Sequence, residues 1–103
     1  MSGNRNRARR PTHPGAILRE DVLPALKMSV AQAAEALGVT RQTLHRVVSE
    51  KASISPDMAV RIGKFCGNGP ELWLGMQQAV DLWDARQRLA EAVEKIPTPK
   101  VAA

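Results

Sequence analysis

Only one cysteine, Cys66, occurs in the 103 residues. No internal disulfide can form, and nothing reads as an oxidised secreted scaffold. No apolar run approaches the roughly 18 residues that a membrane span needs. The basic start, with Arg5, Arg7, Arg9 and Arg10, is not followed by the apolar core of a signal peptide. The cytoplasm is therefore the expected compartment, with no membrane partner. Tyrosine is absent, phenylalanine occurs once and tryptophan twice, so the core must be mostly Leu, Val, Ile, Ala and Met. There is no glycine-rich phosphate loop and no HExxH. Glu50 and Asp57 stand near each other only in sequence, which does not make a catalytic pair. His13, His45 and the lone Cys66 lack metal-ligand spacing, and Cys66 reads as a small buried hydrophobe. The expectation is no catalytic residue, no metal and no cofactor.

What is present begins with charge. The formal net charge is +5. Residues 1–51 hold nine Lys/Arg and four Asp/Glu; residues 52–103 hold six of each. The whole excess lies in the first half, where it favours a polyanionic partner, above all nucleic acid. A hydrophobic share of 44% excludes a fully disordered chain.

Punctuation along the chain predicts an all-α protein. Residues 1–12 read as a flexible basic arm, residues 13–96 as one folded domain and residues 97–103 as a flexible tail. A first helix starts at Pro14, with His13 as a structural or capping residue, and Pro24 ends or kinks it. Ser29 followed by Gln32 matches a capping box that opens a second helix. Gly38 stops that helix, and Thr40 caps a third that runs to about Ser49. Ser55 with Pro56 opens a fourth helix, ending near Cys66. After the turn at Gly67, Asn68 and Gly69, Pro70 opens a last helix that reaches at least Ala85 and can continue to Val93. No strand alternation and no internal repeat are visible.

Residues 30–49, VAQAAEALGVTRQTLHRVVS, carry the function. Two short helices joined by a tight turn form a helix-turn-helix. Ala34 supplies the small residue where the helices cross, and Gly38 makes the turn. Leu37, Val39, Leu44 and Val47 knit the pair to the domain. The third helix then turns Arg41, Gln42, Thr43, His45 and Arg46 outward as candidates for reading base edges. Gln suits adenine, Arg suits guanine, and a threonine methyl suits thymine. Arg5, Arg7, Arg9, Arg10, Thr40, Ser49 and Lys51 are candidates for phosphate contact, which positions without specifying sequence. Thr40 can instead spend its hydroxyl on the cap.

From His13 onward the sequence resembles the HigA-type antitoxins, within the phage-repressor-like (XRE/Cro-type) helix-turn-helix class. HPGAILRED (residues 13–21) is similar to the family's entrance to its first helix, AEALGVTRQTLHRVVSEKASIS (34–55) to its hairpin and following loop, and PDMAVRIGKFCGNGPELWLGMQQAVDLW (56–83) to its fourth and fifth helices. Two departures stand out. Gly67, Asn68 and Gly69 replace a tighter approach to Pro70, and residues 48–51 replace a frequent Asn-Gly turn. The resemblance implies a five-helix, lambda-repressor-like DNA-binding domain. It also implies a homodimer on palindromic operator DNA that represses its own operon and neutralises a RelE/HigB-like, mRNA-cleaving toxin. Some relatives lack an evident toxin and act as stand-alone regulators, which is the alternative.

The last helix carries more apolar surface than one side needs. Trp73, Met76, Val80 and Trp83 recur at spacings of three and four. Met76, Val80 and Trp83 are the candidates for a dimer interface, with Trp83 preferred over Trp73.

Overall fold

The computed structural model describes residues 9–101, which contain helices and no strand. Helix α1 covers residues 14–26 in three continuous stretches: Pro14–Ile17, a π-helical Leu18–Val22, and Leu23–Leu26. It is followed by α2 (Val30–Leu37), α3 (Arg41–Val48), α4 (Pro56–Cys66), α5 (Pro70–Arg88) and the short α6 (Ala90–Glu94).

Pro24 does not end α1. The N–H of Leu23 bonds to the carbonyl of Leu18, five residues back, so the helix widens directly ahead of the proline. A proline has no N–H to give and its ring crowds the carbonyl four residues earlier; a wide turn is one way to absorb both. The helix runs on to Leu26 and stops where Lys27 turns left-handed, at φ 55°.

The other starts follow their caps. Ser29 accepts from the Gln32 N–H (3.1 Å), and the Gln32 side chain accepts from the Ser29 N–H (2.9 Å), completing the capping box. Ser55 accepts from the Met58 N–H at 3.1 Å. The end of α2 depends on Gly38, held at φ 76°, a region costly for a residue with a Cβ. The Arg61 guanidinium lies 2.9 Å from where that Cβ would stand. The expected continuation of α5 is interrupted: Leu89 leaves helical geometry (φ −103°, ψ 11°), and α6 is a separate five-residue helix.

Apolar residues of α1 to α5 meet in one core. Leu18 and Leu23 come from α1, Ala33, Ala34 and Leu37 from α2, Leu44, Val47 and Val48 from α3. Ile54 and the α4 residues Met58, Ala59 and Ile62 close it, together with Trp73 of α5. The indole N–H of Trp73 donates to Asn68 at 2.8 Å, so this large ring is buried without an orphaned donor. Among the described residues no helix is long and apolar enough to cross a membrane.

Candidate nucleic-acid interface

Helix α3 is eight residues, about 12 Å long. Leu44, Val47 and Val48 are buried on one side, while Arg41, Gln42, Thr43, His45 and Arg46 are all exposed on the other. Within the described residues no hydrogen bond or ion pair engages the side chains of Arg41, Gln42, His45 or Arg46. Their donors and acceptors face solvent. Thr40 accepts from the Thr43 N–H at 3.0 Å and donates its own hydroxyl hydrogen to Thr43 Oγ1 at 2.8 Å. The Thr40 hydroxyl is thus spent on the cap. Thr43 keeps its hydroxyl hydrogen and its methyl for an outside partner.

Both helices of the hairpin have their C-terminal carbonyls covered by an arginine from elsewhere. Arg19 of α1 donates to the Val48 carbonyl at 2.6 Å and also meets Glu20 (2.8 Å) and Glu50 (3.2 Å). Arg61 of α4 donates to the Leu37 carbonyl at 2.8 Å. Unpaired carbonyls at a helix end attract cations through both hydrogen bonding and the helix dipole. These two arginines fix the hairpin, and sequence reasoning missed their role. Arg19 lies inside the HPGAILRED segment, but its partner is 29 residues away, a pairing that no local pattern encodes.

The entrance of α1 sits against the end of α3. A Cβ on Gly15 would lie 1.9 Å from the Val47 carbonyl oxygen, so only glycine allows this approach. His13 beside it is buried and caps α1, its Nδ1 accepting from the Gly15 N–H at 2.9 Å. Burial holds the imidazole pKa below its usual value by penalising the charged form. His13 is a structural residue, as expected.

The loop after α3 turns at Glu50, which is left-handed at φ 64°. Ser49 is half-buried, with its hydroxyl directed to the Arg46 carbonyl (3.3 Å), and Lys51 is exposed. Gln77 of α5 anchors the loop from behind: its buried carbonyl accepts from the Ile54 N–H at 2.9 Å, and its amide donates to Asp81 at 2.9 Å.

Some expected site residues stand elsewhere. Arg5 and Arg7 lie outside the described residues. Arg9 is exposed. Arg10, expected on phosphate, instead forms a two-pronged pair with Asp84, 2.8 Å from each carboxylate oxygen. The arginine holds the Asp84 carboxyl below the usual carboxylate range. Val80, expected at a dimer interface, is 1% exposed and belongs to the interior of the single chain. Met76 is half-buried and lines a hollow between α1 and α5; Trp83 is half-buried. The helix-turn-helix residues hold as expected: Ala34, Leu37, Leu44 and Val47 are buried, Val39 packs on the core, and Gly38 makes the turn.

The helix-turn-helix family profile matches residues 18–74. Antitoxin HigA-1 of Vibrio cholerae is 37% identical over 87 residues, covering 84% of this chain and 82% of that protein. The chain belongs to the HigA family of helix-turn-helix antitoxins. A helix-turn-helix-type transcriptional regulator of Haemophilus influenzae is 38% identical over 76 residues, covering 74% of this HigA-family chain and 71% of its own length. The Pseudomonas aeruginosa antitoxin HigA, solved with the higBA promoter, superposes with a TM-score of 0.83 at 34% identity. That match covers 89% of this chain and 100% of the other.

Proposed function

We propose that this HigA-family chain is a cytoplasmic antitoxin that binds its operator as a homodimer, represses its own operon and neutralises a RelE/HigB-like toxin. The exposed face of α3 supports this most directly. Arg41, Gln42, Thr43, His45 and Arg46 stand together on a rigid helix with their polar atoms uncommitted. That is what a helix needs to enter a major groove and read base edges. Lys51, Ser49 and the basic arm through Arg5, Arg7 and Arg9 supply phosphate contacts; Thr40 and Arg10 are occupied within the chain. One short helix reads few bases, so a two-fold dimer places a second copy about 34 Å along the duplex. The dimer surface is the outer side of α5 around Leu82, which is 52% exposed, flanked by Gln78, Ala85 and half-buried Trp83.

Two measurements test the proposal. A duplex from the chain's own promoter should bind at least about a thousandfold tighter than a scrambled duplex of equal length at the same salt. Co-expression with the toxin-like neighbouring gene should relieve growth arrest and yield a stable complex. Equal affinity for both duplexes overturns the operator reading. Specific DNA binding with no relief by any neighbouring gene product leaves a stand-alone regulator, a reading in keeping with the regulator from Haemophilus influenzae.

A further inference from the structure

Two apolar surfaces of the described chain have no cover. One is a hollow of about 510 Å³ between α1 and the first half of α5, with Ile17, Val22 and Leu26 on one wall, Leu72 and Met76 on the other, and Asp21 as its only charged residue. The second lies at the other end of the molecule, where Leu89, Val93 and Ile96 are 43%, 53% and 66% exposed. These three recur at four and three residues, one side of the last helical turns. A chain cannot join its own two surfaces: the hollow flanks the start of α5, α6 follows its end, and nineteen residues of helix span roughly 28 Å.

The outer side of α5 links them. Gly75, Gln78, Leu82, Ala85 and Leu89 alternate at three and four residues, the spacing of a helix-pairing seam. All are exposed except half-buried Ala85, and a Cβ on Gly75 would meet open space. We propose that a second copy of this chain covers both surfaces. The α5 helices pair antiparallel about Leu82, and α6 of each copy enters the α1/α5 hollow of the other.

This rests on the dimer reading above and specifies its contacts. In an antiparallel pair centred on Leu82, residues equally far before and after the centre face each other. Leu89, seven after, meets Gly75, seven before, where the missing side chain leaves room for it. Val93, eleven after, comes level with residue 71, so it reaches Leu72 at the mouth of the hollow. Lys95 arrives within a turn of Glu71, opposite in charge. The seam alone is too small: a stable interface takes about 20–30 residues a side, and two of the five seam residues are Gly and Ala. Adding α6 and the hollow extends it, and two-fold symmetry uses both surfaces on both copies.

The test is the dimer dissociation constant of the full chain by sedimentation equilibrium. Leu72, Leu82 and Val93 are each about half exposed in the single chain, so lysine at any of them should leave the fold intact, checked by circular dichroism. Leu72→Lys and Val93→Lys should each weaken the dimer by about tenfold or more, and Leu72→Glu combined with Val93→Lys should recover most of the loss. A wild-type dimer that Leu82→Lys dissociates, while Leu72→Lys and Val93→Lys leave it unchanged, overturns the docking of α6 and keeps the dimer. A wild-type monomer at about 50 μM overturns both. If Leu72→Lys spares the dimer but abolishes capture of the neighbouring toxin, the hollow holds the toxin and the proposal is wrong.

Discussion

Single residues at the junction of α1 and α3 carry consequences out of proportion to their size. Gly15→Ala would place a methyl inside the Val47 carbonyl, so α1 or α3 must shift. The expected cost is about 1–3 kcal/mol, the range for overpacking, read as a lower urea midpoint with an unchanged slope. His13 gives the same junction a pH dependence. Its folded-state pKa is lowered, so the unfolded chain binds the proton more readily. The contribution is present above the unfolded value, about 6.5, and is lost as pH falls through the folded value. Unfolding measured between pH 7.5 and pH 5 should show wild type losing more stability than His13→Asn, which retains a capping oxygen and does not titrate. Parallel losses would mean that His13 is not the group responsible. Glu50 is the opposite case from Gly15, since it bears a side chain at φ 64°. Glu50→Gly relieves that strain and gives up only the partly exposed contact to Arg19, so it should be neutral or stabilising, whereas a glycine at Ala36 inside α2 should cost about 1 kcal/mol.

At the scale of elements, the helix starts follow their caps. Thr40→Ala should destabilise the protein by about 1 kcal/mol, and Thr40→Ser should restore most of it; equal loss in both would show that the hydroxyl does not hold α3. Starts were legible because Ser29, Thr40, Ser55 and the prolines at 14, 56 and 70 act on the backbone within three residues. Gly38 was legible for the same reason. The π-turn before Pro24 was not, because a proline in a helical pattern is compatible with a stop, a kink or a widened turn. The turn at Glu50 was hidden because glutamate is not a residue that favours left-handed backbone; only a missing Asn-Gly marked the place. The exposed face of α3 was readable from period alone. Val80 was misplaced because an apolar stripe on α5 shows that a side is buried without showing whether its cover is the same chain or a second copy. Arg10 was misplaced because its partner, Asp84, is 74 residues away.

At the scale of the whole molecule, the excess positive charge, the hairpin and the exposed side of α5 divide the labour. The first half faces DNA, and the last helices join copies. Every part of that division depends on α3 reading sequence rather than merely holding phosphate. The most direct measurement is the affinity of wild type and Gln42→Ala for the promoter duplex and a scrambled duplex, at one salt concentration. Gln42 is exposed and makes no bond within the described chain, so its removal should spare stability. The account predicts that Gln42→Ala loses about 1–3 kcal/mol on the promoter duplex and almost nothing on the scrambled one. Equal losses on both duplexes, or none on either, would contradict it.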